Sequence, residues 1–209
     1  MKKFFSTLLA ASLMLIGTQA FAQGSINGGY LNSSQSHENG KSTNSNGFYV
    51  GGSANIALAR GLGFAPGIYY SMLFNKNAAG TTFAGIDISG ASSFKEHAIN
   101  VPVYLNWGTD LASDTRVFVF GGPTAQYILS STNKLSGGIG SWSADTTLDN
   151  IKDGHLNPFN VYVGGGLGVT VAAFQITVGY DYGLMNLYKG DNAAKSHRSN
   201  LKIGVGFVF

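Results

Sequence analysis

The sequence predicts an all-β fold: an eight-stranded antiparallel up-and-down transmembrane β-barrel. Three observations predict it. The last residues alternate without a break, with Leu201, Ile203, Val205, Phe207 and Phe209 on one parity and Lys202, Gly204, Gly206 and Val208 on the other. Side chains alternate faces along a strand, so this one has an apolar face and a small or polar face. Left at the edge of a soluble sheet, such a strand would be exposed and sticky, whereas a closed barrel in lipid pairs it with the first strand. Seven earlier stretches repeat the pattern, joined by connections that are alternately long and short. Finally, charged residues make up only 11% of the 209 residues, and 30 are glycine. Soluble domains carry roughly 25% charged residues.

The amino-terminus reads as an export signal. Lys2 and Lys3 precede a mostly apolar run from Phe4 to Ile16, and Ala20-Phe21-Ala22 is a small-x-small cleavage site before Gln23. The apolar run is too short to span a bilayer as a helix. The domain division is therefore residues 1–22 as signal peptide and 23–209 as barrel. Removing Lys2 and Lys3 takes the formal charge from +3 to +1 (3 − 2), so no basic nucleic-acid-binding face is supported. There are no cysteines, hence neither disulfides nor a lipid anchor at the cleavage site.

The elements follow in order. Gly24 to Asn32 is the first strand, weak by itself, with Ile26, Gly28 and Tyr30 on one parity. Residues 32–46 contain no apolar side chain and read as a long solvated loop. Phe48 to Leu58 is the second strand, with Tyr49, Ser53 and Asn55 turned inward. A tight turn at Ala59-Arg60-Gly61 leads into the third, Leu62 to Phe74, in which Pro66 removes a ladder hydrogen bond and predicts a bulge or local break. Residues 75–96 form a second long loop. The fourth strand, His97 to Trp107, alternates Ile99, Val101, Val103, Leu105 and Trp107 with Asn100, Pro102, Tyr104 and Asn106. After a polar turn at Thr109 to Asp114 comes the fifth, Arg116 to Leu129, which Gly121-Gly122-Pro123 should bend. Residues 130–159 are the longest loop. The sixth strand, Asn160 to Val171, turns Tyr162 and Gly164 inward. A tight turn at Ala172-Ala173-Phe174 precedes the seventh, Gln175 to Leu184, with Asp181 inward. A fourth loop covers 188–197 before the closing strand.

Strands of about 10 residues, tilted, span a bilayer core, and short periplasmic turns against long extracellular loops are the outer-membrane pattern. Rings on the apolar parity fall into two belts at headgroup depth: Phe64, Trp107 and Phe209 toward the turns, and Tyr30, Phe48, Phe74, Tyr127 and Tyr182 toward the loops. The inward parity supplies a polar lumen of Asn55, Asn100, Tyr104, Asn106, Tyr162, Asp181 and Lys202. Eight strands enclose only enough space for side chains to fill, so the lumen should be packed rather than a pore. Asp181 and Lys202 are inward on neighbouring strands and should face each other, because unpaired buried charge is costly.

The export signal, the glycine-rich second and sixth strands, Ile99-Asn100-Val101-Pro102 and the Phe-terminated last strand resemble the small outer-membrane β-barrels of Gram-negative bacteria. Within these the chain looks like the "porin family" barrels, akin to the OmpA/OmpX type. The resemblance covers the whole mature chain and rests on patterns, not on a catalytic signature. It implies residence in the cell outer membrane, among lipopolysaccharide and phospholipid. It also implies assembly by the barrel-insertion machinery, which reads a carboxy-terminal strand such as Val205, Phe207 and Phe209. In that family charged residues often occupy the inward positions that are Asn100 and Asn106 here.

Three patterns bear on chemistry. His197-Arg198-Ser199 has the His-x-Ser spacing of outer-membrane lipid A deacylases, which place a base beside a nucleophile, but no downstream carboxylate follows to orient the histidine. His37, His97, His155 and His197 fall in or beside the loops without the fixed spacing of a metal site. Gly164-Gly165-Gly166-Leu167-Gly168 precedes no helix, so it is not a phosphate loop. The expectation is therefore a structural or surface-interaction protein, without enzymatic activity, cofactor or metal. A narrow solute channel is the alternative. A lipid-modifying enzyme is less favoured, as is a secreted lipocalin-like barrel, which would turn its apolar parity inward.

Overall fold

The computed structural model describes residues 22–37, 42–83, 86–139, 142–151, 156–187 and 196–209. Among them are nine strands: β1 (Ala22–His37), β2 (Ser42–Ala59), β3 (Leu62–Phe83), β4 (Ile86–Ala112), β5 (Thr115–Ile139), β6 (Trp142–Asp149), β7 (Phe159–Val171), β8 (Phe174–Gly183) and β9 (Ser196–Val208). Every pairing is antiparallel. β4 pairs with β5, β5 passes β6 to pair with β7, and β1 pairs with β9, so eight strands close a ring and β6 stands outside it. At the seam Gly24 and Phe209 exchange backbone hydrogen bonds of 2.9 Å each way, which leaves the closing strand no free edge.

The parity of the sequence is the parity of the walls. Ile26, Phe48, Val50, Leu105, Leu167, Ile176 and Val205 are exposed on the outside, while Asn27, Tyr49, Asn100, Tyr162 and Asp181 are buried inside. An apolar exterior with polar residues enclosed suits lipid, not water. The belt residues Trp107 (59% exposed), Tyr127 and Tyr182 are on this outer face, with Phe64 partly covered there. Phe174 and Phe207 meet edge to face at the turn end, ring centroids 5.8 Å apart.

Several expectations change. Residues 32–46, 75–96 and 130–159 are largely paired strand rather than loop. Pairing runs on to Ser36 with Ser42 and to Phe83 with Ile86. β5 continues through Lys134 to Ile139, where Trp142–Asp149 folds back as the additional strand. In sequence these extensions are rich in Asn, Ser, Thr and Gly and lack the half-buried alternation by which strands are recognised. The 188–197 loop is shorter, since Ser196 and His197 already belong to β9; residues 188–195 lie outside the described residues. The turns shrink to Arg60-Gly61, Ser113-Asp114 and Ala172-Ala173, and Phe174 opens β8. Gly61 occupies the left-handed region at φ 77°, the reason a glycine ends that hairpin. The local break expected at Pro66 is present: the ladder to β2 skips Ala65 and Pro66, without a register shift. Register shifts fall at Ala57/Ala59, His97/Ala98 and Asp110/Ala112.

Ala22 and Gln23 open β1, while Ala20 lies outside the described residues with the rest of 1–21.

Candidate functional site

The lumen is two compartments rather than one packed interior. Toward the end where β3, β4 and β5 extend beyond the ring (the hairpin end, opposite the short turns), side chains fill it. Glu96 on β4 (1% exposed) is held by both terminal guanidinium nitrogens of Arg198 on β9, with Arg198 Nη2 donating to Glu96 Oε2 at 3.1 Å. Beside this pair Tyr162 donates to Gln126 Oε1 (3.0 Å), Gln126 Nε2 to Asn100 Oδ1 (2.8 Å), and Asn100 Nδ2 to Ser71 Oγ (2.8 Å). That relay crosses from β7 through β5 and β4 to β3. Leu156, Leu187 and Ile128 are buried at the same end. Asn157 N–H donates to Leu187 C=O (2.8 Å), tying the chain after β6 to the chain after β8. On the other wall Leu31, Tyr49 and Leu73 pack together, flanked by Tyr69 and Phe94.

Below this layer lies a cavity of about 490 Å³. It reaches from Asn100, Gln126 and Asn200 down to Asp114, Arg116 and Ala172 at the turn end. The expectation of a wholly packed lumen is thus corrected: the side chains that would fill it are missing. Gly166, Gly168, Gly179 and Gly204 occupy inward positions, and the rings of Phe118 and Phe120 pack against the first three of them rather than across the bore. The lining mixes amides, hydroxyls and rings, among them Asn27, Asn55, Tyr69 and Tyr104. Arg116 reaches over the rim, its Nη2 donating to Gly61 C=O at 3.2 Å and its Nη1 lying 3.8 Å from Asp110.

The sequence-derived lumen residues all face this interior. Asn106 Nδ2 donates to Asn55 Oδ1 at 2.9 Å. Lys202 is salt-bridged to Asp181 Oδ2, and Tyr104 donates to Asp181 Oδ1 at 3.3 Å. The pair is diagonal: Asp181 stands opposite Asn200, and Lys202 opposite Gly179. Gly164 makes room for the carboxylate, since a Cβ there would lie 2.0 Å from Asp181 Oδ1. Lys202 keeps some solvent contact, its side chain 22% exposed. Asp181→Asn should therefore destabilise the barrel by about 1–3 kcal/mol, the range for leaving one buried partner unsatisfied, and lower its thermal unfolding temperature. An unchanged unfolding temperature would mean that the pair contributes nothing.

The Glu96–Arg198 pair went unseen from sequence, though parity contains it. Glu96 shares the inward parity of Asn100, and Arg198 that of Lys202. Reading 75–96 as loop removed Glu96 from consideration. Among the described residues, buried Asn160 Nδ2 and Asn200 Oδ1 meet no hydrogen-bond partner.

The His-x-Ser pair lies on the other side of the wall. His197 and Ser199 share the outward parity of Leu201. His197 Nδ1 is 3.1 Å from Gly183 C=O, and its ring stacks on Tyr182. His97 Nδ1 meets the Tyr70 hydroxyl. The side chains of His37 and His155 lie outside the described residues. Among the described residues no group of three or more His, Asp or Glu is arranged to hold a metal.

A family model described as "Outer membrane protein beta-barrel domain" matches residues 18–189. No curated protein sequence matches the chain. Among solved structures the chain is similar to Ail, the attachment invasion locus protein of Yersinia pestis. That match has 16% identity and TM-score 0.42, covering 90% of this chain and 99% of that one. It is also similar to Neisserial surface protein A, at 17% identity and TM-score 0.45, covering 89% and 97%. A third is the outer membrane enzyme PagL, at 9% identity and TM-score 0.40, covering 88% and 98%. Identities this low carry no residue role from those proteins to this one. The family match spans most of the chain and agrees with a closed ring that is apolar outside and polar within. The chain belongs to the outer membrane protein beta-barrel domain family, and the protein is an outer-membrane β-barrel.

Proposed function

We propose that the protein is a non-enzymatic surface-interaction barrel, its export segment 1–22 removed during secretion and its hairpin end facing the cell exterior. The observation that carries this reading is the sheet that continues past the barrel. β3 and β4 stay paired to Phe83 and Ile86, β4 and β5 to Ile88 and Ile139, and β6 adds a further strand along Thr132 to Ile139. Lipid binding alone requires no such projection. The sheet carries exposed apolar residues, Leu135 and Leu148, and ends at β6, which among the described residues pairs with β5 alone. A free strand edge with apolar side chains suits an extended peptide partner.

A membrane-impermeant, polymer-linked maleimide added to intact cells carrying Leu148→Cys, an exposed position on a chain with no native cysteine, tests the display. Labelling of intact cells is the expected outcome; labelling only after the cells are broken would overturn it.

The 490 Å³ cavity favours a second reading, a solute channel. The buried layer of Glu96, Arg198 and Tyr162 opposes it by closing the hairpin end. In planar bilayers the protein should give no stepwise conductance. Regular steps would replace the surface-interaction reading with the channel.

A further inference from the structure

We infer that the outer wall at the base of the projecting sheet binds a phosphorylated glycolipid of the outer leaflet through Lys76, Lys95 and Lys134. The three lie on three adjacent strands. Lys76 of β3 and Lys134 of β5 both stand opposite Ser93 of β4, so they form one cross-strand row. Lys95 occupies the next row, between Phe74 and Thr132. β4 is continuous here, so Lys95 and Ser93 share the outward parity of Ile99. All three lysines are exposed. Strand spacing and rise give a triangle with sides of about 8–10 Å, small enough for one or two phosphates to be shared among the three ammonium groups.

Position and charge select the ligand. The row below Lys95 holds His97, and the next holds Tyr70, Ile99 and Tyr127 of the aromatic and apolar wall. The cations therefore begin where the lipid-facing surface ends, at headgroup depth. Among the described residues no carboxylate is paired with any of the three lysines; Asp149 stands opposite Thr132 at the border of the patch. Like charges on neighbouring strands are destabilising by themselves, and an anion between them reverses the sign. This inference rests on the outward orientation of the hairpin end and is independent of any partner of the projecting sheet.

The test uses the full folded chain in zwitterionic detergent, with folding verified by heat-modifiable gel mobility. It is titrated with labelled lipopolysaccharide, with the same lipopolysaccharide after dephosphorylation, and with soluble polyphosphate. Each cation near an anionic lipid surface contributes about 1 kcal/mol, so K76Q/K95Q/K134Q should bind phosphorylated lipopolysaccharide on the order of a hundredfold more weakly. Arg60→Gln, at the opposite end of the barrel, should leave binding unchanged. The single variant Lys95→Gln should fall between, which guards against misfolding of the triple variant. Equal affinity of wild type and triple variant would overturn the inference, as would equal affinity for the dephosphorylated lipid. Tight binding of polyphosphate without binding of the lipid would overturn the assignment to a lipid.

Discussion

Arg198→Met should lower the unfolding free energy of the barrel by about 3–5 kcal/mol, the range for removing one partner of a buried ion pair. The substitution leaves Glu96, 1% exposed, uncompensated inside a wall of eight strands. The glutamate cannot turn to solvent, because Ser131, Ser196 and Tyr162 are buried at the same end. Much of the expected loss is desolvation of the orphaned carboxylate, so removing both charges should cost far less than removing one. Urea unfolding in lipid vesicles compares Arg198→Met with Glu96→Gln/Arg198→Met. The double variant should recover most of the lost stability. If the two unfold at the same denaturant concentration, the pair is not the interaction closing the hairpin end. Because this layer also separates the cavity from the exterior, the same single variant is where leak conductance should first emerge.

Gly29→Val should prevent closure of the ring. Gly29 of β1 stands opposite Gly204 of β9 at the seam. A Cβ there would lie 2.1 Å from Ile203 C=O and 2.6 Å from Gly204 Cα, both backbone atoms that cannot turn aside. The clash falls on the one pairing that joins the two ends of the chain, where sequence separation is greatest and the ladder forms against the largest loss of chain entropy. Unheated and boiled Gly29→Val should migrate together, whereas the wild type should shift on boiling. Gly137→Ala is the matched control, since nothing lies within 4 Å of the added carbon. A shifting Gly29→Val barrel would mean that the seam is looser than this register implies.

How much of this was legible in the sequence follows from what each residue faces. Wherever a strand separates lipid from lumen, its period-two pattern is strong, and Ile176, Val178, Tyr180 and Tyr182 against Thr177, Gly179 and Asp181 can be read off directly. Beyond the barrel wall the pattern vanishes although the backbone pairing does not. Asn77 through Thr82 pair residue for residue with Ser92 through Asp87, without apolar alternation in the sequence. Strand extension there is dictated by the neighbouring backbone, which a linear reading of side chains does not contain. The same limit hid Glu96, a lumen residue one position beyond an apparent strand end. The Asp181–Lys202 contact was accessible because both residues lie deep in unmistakable strands; its diagonal geometry was not, since register depends on turn lengths to the residue. The cavity was unreadable for another reason. Counting inward positions says that eight strands leave room for side chains, but not that Phe118 and Phe120 lie against the wall glycines and leave the bore open.

Ring closure in one register is the claim on which the rest depends, and an engineered cross-link tests it most directly. Gly24 and Phe209 exchange both backbone hydrogen bonds, so the next pair across the seam, Ser25 and Val208, is of the closer, non-hydrogen-bonded type suited to a disulfide. The chain has no native cysteine to interfere. The account predicts that Ser25→Cys/Val208→Cys oxidises to an intramolecular disulfide in the folded protein, while the slipped pair Asn27→Cys/Val208→Cys does not. Cross-linking of the slipped pair alone, or only between separate chains, would contradict the closed eight-stranded ring.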